Sequence, residues 1–200
     1  MNGYKVLSGQ RFSRRGFVLA GGAAVLAVAA CDNSTSTNAS QTLEGRVNGT
    51  LNELMTKYPS AAPMLQNANG VLVIPVMTQA GLGITGSYGE GALRVRGQTV
   101  DYYSATQASV GLQAGARQYA QVLVFQTEQA LTNFRSTAGW VAGAGAYFAL
   151  PKEGLTYGTD TITRDHPVVA MVFGETGIMA GAAIEGTKYT RIIPSRLSTL

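Results

Sequence analysis

Residues 71–103 read VLVIPVMTQAGLGITGSYGEGALRVRGQTVDYY, and how this stretch is parsed decides the fold. It opens on a run of branched aliphatics and passes into segments where apolar side chains alternate with small or polar ones, the period-two pattern of strands. Arg94 and Arg96 alternate with Leu93 and Val95, and Gly97-Gln98 can supply a tight turn before Thr99. A β-hairpin is predicted there. Gly81, Gly83 and Gly86 also match GxGxxG. A dinucleotide fingerprint, however, needs a helix starting at those glycines so that its amides meet the pyrophosphate, and the residues after Gly86 alternate as a strand. No lysine stands where a phosphate loop would need one, so nucleotide binding is not expected.

The same glycine-laced texture continues at 109–116, 121–126, 140–149, 156–164, 168–175 and 178–186. A large apolar residue followed by Gly and Ala recurs after Gly111, Gly139 and Gly177. Glycine weakens a strand interior unless a bend or a close backbone approach requires it, so its repeated use implies a strongly curled sheet. Helical periodicity is confined to a few places. Leu43, Val47, Leu51, Leu54, Met55 and Tyr58 recur at three- and four-residue steps opposite Arg46, Asn52, Glu53 and Lys57, and Pro59 ends the pattern. This stripe is expected to face the core, because Arg46 and Lys57 make a thin basic face for a membrane-surface helix. A short helix over 61–66 comes next, and 127–135 reads as another, with Thr127 as its cap and Ala130, Leu131 and Phe134 on one face. The expected class is α+β: a strongly curled, antiparallel, barrel-like sheet with a few packed amphipathic helices.

Ahead of this domain, Arg14-Arg15 is succeeded by a run from Gly16 to Ala30 without a charge, then by Cys31, the only cysteine of the chain. The run is short and rich in Gly and Ala, whereas a spanning helix needs about 20 strongly apolar residues. Residues 1–30 are therefore read as a cleaved signal peptide, with Arg14 and Arg15 resembling the twin-arginine export signal. Val28-Ala29-Ala30-Cys31 resembles the lipobox of bacterial lipoproteins. Cys31 is then the acylated amino terminus, holding the protein to a membrane and facing the periplasm. Asp32 favours the inner membrane. Residues 31–41, with no apolar side chain larger than alanine after Cys31, are expected to form a flexible tether. The folded domain is placed at 42–200.

Charge divides in the same way. Of the 15 cations, Lys5, Arg11, Arg14 and Arg15 leave with the signal, so the mature chain carries 11 against 11 acidic residues. The pI near 9.3 thus gives no support to a nucleic-acid partner, since the excess that would make the field is removed.

Chemistry-bearing constellations are sparse. His166 is the sole histidine, and with the only thiol acylated no His/Cys metal set can form. No GxSxG elbow accompanies His166 and Asp165. Glu90, Glu175 and Glu185 each lie beside glycine; a pair of them held a few ångströms apart could work as acid and base, but a structural role is favoured. No catalytic residue, metal or cofactor is assigned.

Six segments carry a resemblance in their order: 68–75 (ANGVLVIP), 81–91 (GLGITGSYGEG), 109–116 (SVGLQAGA), 122–134 (VLVFQTEQALTNF), 139–146 (GWVAGAGA) and 177–192 (GIMAGAAIEGTKYTRI). Together they look like the SYLF lipid-binding domain family, also labelled as actin-regulating after its fungal members. The resemblance covers nearly all of 42–193. It implies a non-enzymatic domain that engages membrane lipids or anionic membrane surfaces, with Lys57, Arg94, Arg96, Lys188 and Arg191 as the candidate headgroup contacts. Actin binding is not carried over to an exported chain. The alternative is an envelope structural or protein-interaction module without lipid specificity.

Overall fold

Two strands far longer than the usual 3–10 residues carry the architecture: β1 (Gly70–Val95) and β2 (Gln98–Phe125). The computed structural model describes residues 32–143, 146–148, 166–174, 177–178, 184 and 186–193. The chain divides into two compact units, Met1–Asn38 and Ala39–Leu200, and the second holds the sheet and both cores.

β1 and β2 pair antiparallel along their whole length, from Gly70 opposite Phe125 to Val95 opposite Gln98. Arg96 (φ 52) and Gly97 (φ 79) close the hairpin, the two positive φ values that match strand twist in a two-residue turn. The runs VLVIPV, LGITGSYGEG and ALRVRG are thus one strand, not several. Register shifts fall between Ile74 and Met77, Leu82 and Ile84, and Leu93 and Arg94, the second of them at Gly83.

The curl has a steric cause. Gly89 and Gly91 lie against the earlier part of their own strand, where a Cβ on Gly91 would collide with the Val73 carbonyl and one on Gly89 would sit 2.5 Å from that of Val76. Only a residue without a side chain lets the two halves of β1 approach so closely.

The outer edge of β2 takes two further strands. Tyr102–Thr106 pairs with β7 (Lys188–Ile192), and Ala120–Phe125 pairs with β5 (Val168–Gly174), both antiparallel. β3 (Trp140–Val141) joins β7, while β4 (Ala146–Phe148) and β6 (Gly177–Ile178) join β5. Among the described residues this is a seven-stranded half-barrel, antiparallel except for the parallel pair β4 and β5.

The runs Leu72–Ile74, Val122–Phe125 and Val168–Phe173 are continuous apolar stretches because both faces of the sheet are covered. One face turns Leu72, Ile74, Leu123, Phe125 and Val172 into the curl, with Tyr103 and Tyr189. The other turns Val73, Val122, Val124, Met171 and Phe173 toward the N-terminal helices. Those helices are α1 (Asp32–Lys57) and α2 (Ala62–Gln66), joined through a 3-10 turn at Pro59–Ala61. From α1, Leu43, Val47 and Leu54 are buried, each contributing about 1.5–3 kcal/mol. Leu51 and Tyr58 pack partly buried beside them and Met55 is exposed, so the stripe faces the core except at Met55.

α1 begins at Asp32, so 32–41, expected to be an irregular tether, is helical in its backbone. Once the packed turns around Leu43 supply the nucleus, each added residue gains a hydrogen bond at little further ordering cost, which composition alone does not reveal.

Inside the curl lies α3 (Glu128–Ser136). Thr127 Oγ1 accepts from the Ala130 amide at 3.2 Å as its cap, and Leu131 and Phe134 are buried. The Phe134 ring centre lies 4.7 Å from Tyr103, 4.8 Å from Phe125 and 5.3 Å from Trp140, tying α3 to both ends of β2 and to β3.

Candidate membrane-facing site

The five cations singled out from sequence do not form one patch. Arg94 is half-buried under α1, its Nη2 2.8 Å from Glu44 Oε2. On the opposite face of the sheet, Arg191 Nε lies 3.3 Å from Asp101 Oδ1 while Arg135 of α3 takes Oδ2 of the same carboxylate at 3.1 Å. Lys57 bonds Glu53 at 2.6 Å one turn back on α1. Lys188 is exposed, its aliphatic stem lying where a Cβ on Gly139 would go, and Arg96 sits exposed in the hairpin turn. Among the described residues these last two have no carboxylate partner.

Burial raises the Glu44 carboxyl, but hydrogen bonds from Thr99, Arg94 and Tyr102 outweigh it and leave the pKa below the ordinary 4.5. Arg94 thus has a structural occupation, holding α1 to the hairpin. Glu90 is buried in β1 and accepts from the Tyr88 hydroxyl at 2.6 Å; burial first, then that bond, pushes Tyr88 up to about 12. Glu175 and Glu185, with Cys31, Arg14 and Arg15, lie outside the described residues. Among the described residues no cluster of His, Cys, Asp or Glu could hold a metal. The GxGxxG glycines lie inside β1, not at a helix start. No helix among the described residues is long and apolar enough to cross a membrane.

The feature that sequence reading passed over is the middle of the β1–β2 hairpin, where both strands bend. Between the rungs Leu82–Ala114 and Ile84–Val110, β2 has three residues where β1 has one. Gly83, at φ 73, takes a conformation that a side chain would strain. Leu82, Ile84 and Val110 stand 81%, 69% and 87% exposed, Ile84 directly opposite Val110.

Beneath them the bend is fastened by polar side chains. Arg117 donates to Gln79, Gln79 donates to Thr85 Oγ1 at 3.2 Å, and Thr85 and Ser109 hydroxyls are 2.6 Å apart. Gln79 and Thr85 are buried. The Arg117 guanidinium also lies 5.7 Å over the Tyr119 ring. One sequence signal was available: from 102 to 127 the only charged residue is Arg117, and from 76 to 89 there is none.

Residues 106–192 match the family Ysc84, described as Las17-binding protein actin regulator. Over this stretch the chain is similar to the Ysc84 family. The matched stretch takes in β2 from Thr106 onward, then α3, and runs to β7; it includes Val110, Arg117, Lys188 and Arg191. This is the SYLF family, one of actin-regulating, lipid-binding domains, and its members are binding domains. No curated protein matches the chain.

Proposed function

We propose that the protein is a bacterial envelope lipoprotein whose Ysc84-like domain binds membrane lipids and performs no catalysis. The observation that carries this reading is the family match over 106–192, since lipid binding belongs to that family. The lone Cys31 after a charge-free run behind Arg14-Arg15 supports the anchor. Each methylene of an attached acyl chain contributes about 0.8 kcal/mol, so two or three chains hold stably where one holds marginally. Asp32 favours retention at the inner membrane, with the domain in the periplasm.

Anchoring confines the domain near headgroups, so a weak affinity of its own suffices to keep lipid bound. Arg96 and Lys188 are the cations of the original set most accessible to anionic lipid, while Arg94 and Arg191 spend their charge on Glu44 and Asp101. The family description names Las17 and actin; for a chain read as exported, the lipid is the ligand that fits the compartment.

Two measurements test the reading. Metabolic labelling with a fatty acid should mark the wild-type chain and not Cys31→Ser. Mass spectrometry of lipids extracted from the purified chain should recover phospholipid in stoichiometric proportion. Lipid-free protein and a label that ignores Cys31 would overturn it.

A further inference from the structure

We propose that the bend midway along the β1–β2 hairpin is the element that enters the bilayer, with Leu82, Ile84 and Val110 passing into the acyl boundary and Arg117 engaging anionic headgroups behind them. The proposal rests on the lipid-binding reading and says where on the domain the lipid is met.

Three aliphatic side chains at least two-thirds exposed on one bend of the strand pair are costly in water and gain on transfer to hydrocarbon. What surrounds them selects the partner. The two chain segments that build the bend, 76–89 and 102–118, carry no carboxylate, and their single charge is Arg117. A protein-binding apolar patch is usually rimmed by polar groups of both signs, whereas a bilayer surface rewards an uncharged tip with cations set back from it.

The spacing agrees with that assignment. Arg117 pairs with Gln79, three rungs behind the Leu82–Ala114 rung, or about 10 Å at the usual strand rise. An interfacial apolar element sinks about 5–10 Å into the headgroup and acyl boundary, which leaves Arg117 level with the phosphates. Insertion is limited to this depth, because bulge residues without ladder partners cannot leave their backbone groups unsatisfied in hydrocarbon.

The bend is also preorganised. The Arg117–Gln79–Thr85–Ser109 chain of hydrogen bonds and the backbone of Gly83 hold the tip in shape, so docking orders little that is not already ordered.

The test places an environment-sensitive fluorophore on the tip. The full chain carrying Cys31→Ser receives either Ile84→Cys or, beside the Arg96-Gly97 turn, Gln98→Cys, each labelled with a nitrobenzoxadiazole dye. Vesicles of phosphatidylcholine, alone or mixed equally with phosphatidylglycerol, are added. The expected result is a blue shift and quenching by shallow nitroxide lipids at position 84, with position 98 remaining aqueous. In the unlabelled Cys31→Ser background, Leu82→Ser with Ile84→Ser lowers partitioning about tenfold or more. Arg117→Gln lowers it about fivefold on anionic vesicles and little on neutral ones.

Circular dichroism and melting of each variant confirm that the fold is kept. Vesicle binding with position 84 still in water overturns the assignment of the tip and leaves the lipid-binding reading standing. Absence of binding to either vesicle by the parent chain overturns both. A lipid-free dimer that the tip substitutions dissociate, with partitioning unchanged, shows a second copy of the chain to be the occupant and likewise overturns the proposal.

Discussion

The Tyr189 hydroxyl donates to Gln121 Oε1 at 3.0 Å, joining two residues 68 positions apart across the interior of the curl. Tyr189 stands on β7 opposite Ala105, whereas Gln121 stands farther along β2 opposite Val172. Both are fully buried. The bond therefore ties the two ends of a bent strand pair to each other and helps to fix how far the sheet closes.

Tyr189→Phe keeps the ring and removes one donor to Gln121 in a site closed to water. A loss of about 1–2 kcal/mol is expected, read as a lower urea midpoint with an unchanged slope. Identical midpoints for the two chains would show that the bond contributes nothing net.

The same residue predicts behaviour in alkali. Burial first, and then the neighbouring Tyr119, hold the Tyr189 phenol above its ordinary 10.0. The folded protein keeps a proton that the unfolded chain releases, so this contribution is whole below pH about 10 and declines as pH rises beyond it. Phenolate absorbance during alkaline titration should show one tyrosine ionising only together with unfolding, and that step should vanish in Tyr189→Phe. A full tyrosine complement titrating while the fold persists would contradict this.

Close packing of β1 on itself separates two glycines that composition treats alike. Gly91→Ala places a methyl against the Val73 carbonyl, whereas Gly86→Ala meets nothing within 4 Å. The first should cost about 1–3 kcal/mol by forced displacement of backbone, and the second should be neutral or slightly stabilising. Thermal melting compares them directly; equal effects would mean that the halves of β1 do not approach so closely.

The pair of Glu44 and Arg94 gives an acid dependence. Because its bonds hold the Glu44 carboxyl below the ordinary 4.5, its contribution is present above that pH and is lost as pH falls through the lowered folded value. Glu44→Gln should cost about 1–3 kcal/mol at neutral pH, moderated by partial solvent access, since Arg94 is left half-buried without its carboxylate. Urea unfolding at neutral and acid pH measures both, and the deficit of the variant should shrink in acid. A constant deficit would assign the loss to packing instead.

At the start of α3, Thr127→Ala removes the acceptor of the Ala130 amide. About 1 kcal/mol should be lost, with Thr127→Ser recovering most of it. Failure of serine to rescue would indicate that the methyl, not the hydroxyl, matters.

Much of this fold is readable from residues alone because local patterns and tertiary packing agree. The hairpin expected around Gly97 forms, though its turn is Arg96-Gly97, one residue before the expected Gly97-Gln98. Thr127, Leu131 and Phe134 cap and bury α3 as their spacing suggests, and the stripe from Leu43 to Leu54 packs as core. What escaped depends on distance in space. Nothing local distinguishes a glycine that ends a strand from Gly91, which lets a strand touch itself, so one 26-residue strand read as several. Likewise Arg94 and Arg191 looked available in sequence, since their partners Glu44 and Asp101 lie 50 and 90 residues away. Leu82, Ile84 and Val110 read as ordinary strand apolars, because exposure at a bend is set by what fails to cover it.

Flotation of the chain from residue 31 onward, carrying Cys31→Ser and hence neither signal nor acyl group, puts the central claim to its most direct trial. With vesicles of phosphatidylcholine and phosphatidylglycerol at low salt, the account predicts that protein rises with the lipid and that added salt weakens but does not abolish the association. Protein left wholly at the bottom of the gradient, while its circular dichroism shows the folded sheet, would contradict lipid binding by the Ysc84-like domain.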